Sequence, residues 1–144
     1  MNKSEPIIVE QLFNSSIEEV WESITNKDRM KQWFFEQMEI FEPVIGFETK
    51  FNVKADRENY LHIWKVTEVV PGLKITVQWK YAGYSGTAYV SWELIALNNE
   101  TKLILTCTGL ETFPQSNPDF TRESCTAGWQ YFICNRLKEY LDKR

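Results

Sequence analysis

Cysteine, histidine and glycine are scarce in this sequence, and each shortage closes off a class of function. There are three Cys, one His and six Gly in 144 residues. Cys107, Cys125 and Cys134 are odd in number and show no CxxC spacing, which argues against a disulfide framework or a zinc site and for a reducing compartment. His62 has no Cys, His or carboxylate at ligand spacing beside it, and one imidazole cannot build a zinc or iron centre. The glycines form no GxSxG, phosphate loop or dinucleotide fingerprint, and Gly83 and Gly86 flank a turn with no helix behind it. No cofactor is expected. Long apolar runs are missing too. Nothing approaches the roughly 18 residues of a membrane span, and the apolar stretch in MNKSEPIIVEQLF is too short for a signal peptide. The chain therefore reads as cytoplasmic, with no membrane insertion. Its sixteen Lys and Arg are scattered and the net charge is −4. A nucleic-acid binder concentrates its cations into a patch, and anionic lipid attracts them, so neither partner is expected.

What is abundant is aromatic surface: six Trp, six Tyr and nine Phe, 15% of the residues. Such side chains fill a large core or line a pocket for flat apolar molecules. The length is that of one domain, 1–144, and a chain of this size buries about 68–70% of its unfolded surface without metal or disulfide help.

Residues 6–13 (PIIVEQLF) read as a strand. Ser15-Ser16-Ile17-Glu18 fits a capping box, with Glu18 reaching back, and opens a helix at about 16–24 carrying Val20, Trp21 and Ile24. Asn26 caps a second short helix over 27–34, with Met30, Trp33 and Phe34 inward. The period then changes to two. Phe47, Thr49, Phe51 and Val53 share one face of a strand at 47–54, and 56–59 is a polar turn. Residues 60–70 are a strand with apolar residues on both faces, closed by Pro71-Gly72. Over 73–81, Leu73, Ile75, Val77, Trp79 and Tyr81 alternate with Lys74, Thr76, Gln78 and Lys80. Strands at 87–97 and 101–109 follow, joined by Asn98-Asn99. The stretch 110–120 holds Pro114, Asn117 and Pro118 and reads as an irregular loop. From Thr121 onward, Cys125, Trp129, Phe132, Ile133, Leu137, Tyr140 and Leu141 recur at helical steps on one broad apolar face. A Glu139–Lys143 pair and the terminal Lys143-Arg144 suit the end of that helix. The order predicts an α+β domain in which an antiparallel sheet of about six to seven strands curls around one long C-terminal helix.

Motifs along this order resemble the helix-grip fold of the START-like (SRPBCC) superfamily, and within it the Aha-type branch, named after the activator of the heat-shock-chaperone ATPase. They are Ser16-Ile17-Glu18-Glu19-Val20-Trp21 with Ile24-Thr25, Met30-Lys31-Gln32-Trp33-Phe34, Val77-Gln78-Trp79-Lys80, Thr106-Cys107-Thr108-Gly109-Leu110, and Gly128-Trp129 with Leu137-Lys138-Glu139-Tyr140-Leu141. Together they span nearly the whole chain. Such proteins often carry Pro where Ser16 stands and His where Cys107 stands, and the second difference takes a polar group from the expected cavity wall.

The resemblance implies a small apolar or aromatic ligand, since related domains bind lipids, sterols and polyketides. It also implies two alternatives: an interaction domain linked to a chaperone, or a cyclase-like or hydrolytic enzyme. The chain shows no paired-carboxylate motif for the last of these. The expected cavity wall comprises Phe51, Ile75, Val77, Trp79, Val90, Trp92, Leu103, Leu105 and Cys107 from the sheet and Cys125, Trp129, Phe132 and Ile133 from the helix. Phe113 and Phe120 on the 110–120 loop are expected to close its mouth. No catalytic residue is assigned.

Overall fold

The computed structural model describes residues 5–35, 37–54 and 59–143. Strand β1 (Ile7–Phe13) buries Ile7, Val9 and Phe13 on one face and leads into helix α1 (Ile17–Thr25). The cap falls one residue later than the sequence pattern suggests. Ser16, not Ser15, accepts the backbone N–H three residues on, which belongs to Glu19. The Glu19 carboxylate binds Arg29 at 2.9 Å, tying α1 to α2 (Lys27–Trp33). Asn26 ends one helix and caps the next, accepting from the N–H groups of Asp28 and Arg29. Met30, Trp33 and Phe34 point inward, and the Trp33 indole donates to the Ser23 carbonyl at 2.8 Å.

The remaining strands are β2 (Glu48–Lys54), β3 (Asn59–Val70), β4 (Lys74–Tyr81), β5 (Ala88–Leu97) and β6 (Glu100–Thr108). All pair antiparallel in the order β1-β6-β5-β4-β3-β2, so α1 and α2 carry the chain from one edge of the sheet to the other. Of the polar turn expected at 56–59, residues 56–58 lie outside the described residues, as does Arg144.

The alternation in β4 holds where the strand exists: Ile75, Val77, Trp79 and Tyr81 are buried and Lys80 is exposed. Leu73 does not share it. It sits in the turn before the strand and is 49% exposed, because the pleat that would turn it inward has not begun. In β3 part of the two-faced apolar pattern has a local cause. A bulge between Val66 and Glu68 inserts one residue, so the inward set shifts from Tyr60, His62, Trp64 and Val66 to Val69, which faces Ile75.

Two 3-10 turns, Leu110–Thr112 and Pro118–Phe120, give the 110–120 segment more order than its prolines suggest. The C-terminal helix runs as α3 (Arg122–Gln130), a π-helical stretch (Tyr131–Leu137) and α4 (Lys138–Asp142). The widening matches the sequence. Its buried positions, Cys125, Trp129, Ile133, Leu137 and Leu141, recur every four residues. In an α-helix each such step overshoots a full turn by about 40°, which accumulates to about 160° over the series. A π stretch, with its i→i+5 bonding, takes up that drift and keeps the series on one face. In the last turn the ion pair is Lys138–Asp142 at 2.6 Å, rather than the anticipated Glu139–Lys143. No helix of the described residues is long and apolar enough to cross a membrane.

Candidate functional site

The helix does not sit evenly over the sheet. Its close backbone approaches are to β1, at the edge of the sheet opposite β2. Between its N-terminal half and the β3–β4 pair, aromatic rings bridge the gap. Several meet edge to face, Trp79 and Trp129 at 6.3 Å and 88°, Trp92 and Trp129 at 5.5 Å and 90°, Phe34 and Phe132 at 4.8 Å and 68°, while Phe34 lies parallel to Trp129 at 5.9 Å and 10°. Rigid planes in this arrangement interdigitate less completely than branched aliphatic side chains. A cavity of about 220 Å³ remains.

Its wall is drawn from six places. Strand β3 contributes Tyr60, His62 and Trp64, with Trp79 and Tyr81 beside them on β4 and Val53 on β2. Phe34 and Phe35 come from the end of α2, Asp119 and Phe120 from the second 3-10 turn. The helix supplies Ser124, Cys125, Gly128, Trp129 and Phe132. Of the residues anticipated from sequence, Trp79, Phe120, Cys125, Trp129 and Phe132 are thus brought together. Phe51, Ile75, Val77, Val90, Trp92, Leu103, Leu105, Cys107, Phe113 and Ile133 are buried, but they form the filled core around and behind this wall. Cys107 in particular is buried at 1% exposure, and the Trp129 side chain slightly offsets the upward push that burial gives its thiol.

The residues that sequence reasoning missed have identifiable signals. Tyr60, His62 and Trp64 are alternate residues of β3, masked by the apolar Leu61 and Ile63 that lie between them on the opposite face. Gly128 is a glycine inside a helix, where it costs about 1 kcal/mol relative to alanine, and a Cβ built there meets nothing within 4 Å.

His62 is an enclosed polar group of the wall, 7% exposed. Phe51 stacks on its ring at 5.0 Å and 24°, and Trp79 lies nearly parallel to it at 6.2 Å and 13°. Burial lowers its pKa to about 4, against a smaller opposing effect of the Tyr60 carbonyl, 3.2 Å from Nδ1. The imidazole is therefore neutral at pH 7. Burial also raises the thiols: Cys125 up to about 12, and Cys107 beyond the range in which a thiolate forms in water. Trp64 and Trp79 keep their indole N–H groups buried without a hydrogen-bond partner.

The 110–120 segment, anticipated as an access lid, is stapled to the body of the domain. The Tyr60 hydroxyl donates to Asp119 at 2.7 Å and accepts from Asn117 at 3.0 Å. Thr112 Oγ1 accepts from the Thr87 N–H at 2.8 Å, and the Gln115 amide lies within 3.1 Å of three carbonyls of the segment. At Gly86, φ is +109° and a Cβ would stand 2.5 Å from the Thr112 carbonyl oxygen, so only glycine admits this approach. Phe113 and Phe120 are accordingly buried rather than poised at an opening. The more exposed rim is formed by Phe35, Val53, Ser124, Gly128 and Phe132.

The sequence matches the family described as Activator of Hsp90 ATPase homolog 1-like protein over residues 14–142. No curated protein matches it. Among solved structures, DynU16, a protein of the dynemicin biosynthetic locus, is similar with a TM-score of 0.74 and 22% identity. The match covers 96% of this chain and 47% of that one, so the chain spans about half of DynU16. A Chromobacterium violaceum protein has a TM-score of 0.76 at 19% identity, covering 95% of this chain and 96% of its own. The Aha1 dimer of Colwellia psychrerythraea, solved in solution, has a TM-score of 0.68 at 20% identity, covering 94% and 95%. At these identities the likeness concerns the fold.

Proposed function

This chain belongs to the family of Activator of Hsp90 ATPase homolog 1-like proteins, and on that premise we propose that it binds a small, flat, apolar molecule between the C-terminal helix and β3–β4, with no covalent step. The observation that carries the proposal is the cavity itself: about 220 Å³, walled by aromatic faces, with its two nearby thiols held protonated by burial. Apolar cavities of about 150 Å³ stay dry and accept benzene. This one accommodates one ring with room for a second, and it is too small as formed for a sterol or a long acyl chain. Mass spectrometry of the intact protein, taken straight from cells under non-denaturing conditions, tests the idea. A bound species of a few hundred daltons or less, displaced by excess naphthalene, is the expected result. Protein that is always empty and that takes up no naphthalene would sink it.

A second reading, an interaction domain linked to a chaperone, is favoured by a separate feature. Ile40, Val44 and Ile45, on the stretch before β2, are 53%, 57% and 65% exposed. Replacing all three by Ser would abolish chaperone binding under this reading and leave ligand binding intact. Unchanged chaperone binding would dismiss the surface.

A further inference from the structure

Resting on the ligand-binding reading above, we infer that the cavity selects an uncharged aromatic molecule carrying a hydrogen-bond donor, of the phenol type, with that donor placed on His62 Nε2. The tautomer follows from geometry. Nδ1 lies 3.2 Å from the Tyr60 carbonyl oxygen, which can only accept, so Nδ1 carries the proton and Nε2 presents a lone pair. That lone pair has no partner among the described residues, and it is not one of the sealed polar atoms of the interior, unlike the indole nitrogens of Trp64 and Trp79. With Phe51 stacked on the imidazole and Trp79 nearly parallel to it, a ligand reaches His62 through its edge. An acceptor so enclosed is satisfied at low cost by a ligand hydroxyl, and costs free energy when left unmatched.

Charge narrows the class further. Among the described residues no Lys or Arg lines the cavity, and the one formal charge among them is Asp119, already accepting the Tyr60 hydroxyl. A carboxylate ligand would lose its hydration without gaining a cation, and would meet a lone pair and another carboxylate. The lowered pKa of His62 keeps the imidazole neutral at pH 7, which preserves the acceptor. The volume limits the ligand to one or two rings.

The probes are naphthalene, 2-naphthol and 2-naphthoate, titrated calorimetrically into the full chain at pH 7. A hydroxyl is better hydrated than the hydrogen it replaces, so 2-naphthol gains over naphthalene only if the protein supplies an acceptor. The inference expects 2-naphthol to bind about fivefold to tenfold more tightly than naphthalene, as one matched buried hydrogen bond gives, with 2-naphthoate weakest. In His62→Phe the advantage of 2-naphthol over naphthalene should vanish, whatever the affinity of naphthalene itself. On the unaltered protein, 15N NMR should show 2-naphthol moving the Nε2 resonance and naphthalene leaving it in place, a readout that does not depend on the variant folding. Naphthalene binding as tightly as 2-naphthol, 2-naphthoate binding best, or an unmoved Nε2 would overturn the inference while leaving the ligand-binding reading intact. Failure of all three probes to bind would instead remove that reading.

Discussion

The two halves of the C-terminal helix meet the sheet in different ways. Toward its C-terminus, Ile133, Leu137 and Leu141 join an aliphatic core that includes Ile7, Val9, Leu103 and Leu105, and none of these seven is more than 4% exposed. Toward its N-terminus, Cys125, Gly128, Trp129 and Phe132 look across at Trp64, Trp79 and His62 over open space. One helix thus carries a closed seam and an open one. The difference is chemical: branched aliphatic chains adapt to one another at close range, whereas indole and phenyl planes stand off edge to face and leave volume between them. Stability is expected to reside mainly in the first seam and selectivity in the second.

The largest effect expected is at the boundary between the seams. Trp129 packs against Phe34, Trp79 and Trp92, so Trp129→Ala should lower stability by about 3–5 kcal/mol in urea unfolding. An unchanged melting temperature would place this ring outside the core. Next comes a matched pair. Leu137→Ala, in the closed seam, should cost about 3 kcal/mol, and Phe132→Ala, half-buried on the rim of the open one, about 1 kcal/mol. Equal losses would erase the distinction.

His62 supplies a pH test of the open seam. Its pKa is lowered on folding, from 6.5 to about 4. Below pH 6.5 the unfolded chain therefore takes up a proton that the folded one refuses. Stability linked to this group is fully present above pH 6.5 and falls as pH drops toward 4, by up to about 3 kcal/mol. Urea unfolding of the wild type and His62→Phe between pH 7 and 4 should show that component only in the wild type. Parallel pH profiles would mean that the imidazole is not enclosed.

The smallest effect runs the other way. Gly128→Ala removes helix-interior glycine where a Cβ meets nothing within 4 Å, and should raise stability by about 0.5–1 kcal/mol. A loss of stability would show that the space beside Gly128 is already taken.

The closed seam was legible in the sequence, and the open one only in part, for reasons visible in particular residues. Alternation in β4 and β5 identifies which side chains face inward, and Ile75, Val77, Val90 and Trp92 do. It says nothing about how far the helix stands from each strand, so the cavity wall was expected over the centre of the sheet, whereas it lies over β3 and β4. There apolar Leu61 and Ile63 on the opposite face hide the alternation that turns His62 inward, and a residue inserted after Val66 changes the inward set beyond it. The four-residue repeat from Cys125 to Leu141 held the signal for the π-helical stretch, but helical periodicity is ordinarily judged against 3.6 residues per turn, and the repeat passes for an α-helix. Phe34 and Phe35 reach the cavity from the end of α2, across a distance no local pattern encodes.

The central claim is that the open seam is a ligand site rather than a packing fault, and Gly128 offers the most direct test. Its missing side chain faces empty space on the cavity wall, so Gly128→Leu should occupy the site without disturbing its neighbours. Titrating naphthalene into the wild type should change Trp fluorescence saturably, with one molecule bound, because Trp64, Trp79 and Trp129 all border the cavity. In a folded Gly128→Leu protein the same titration should give no saturable change. A wild type that shows none, or a variant that matches it, would contradict the account.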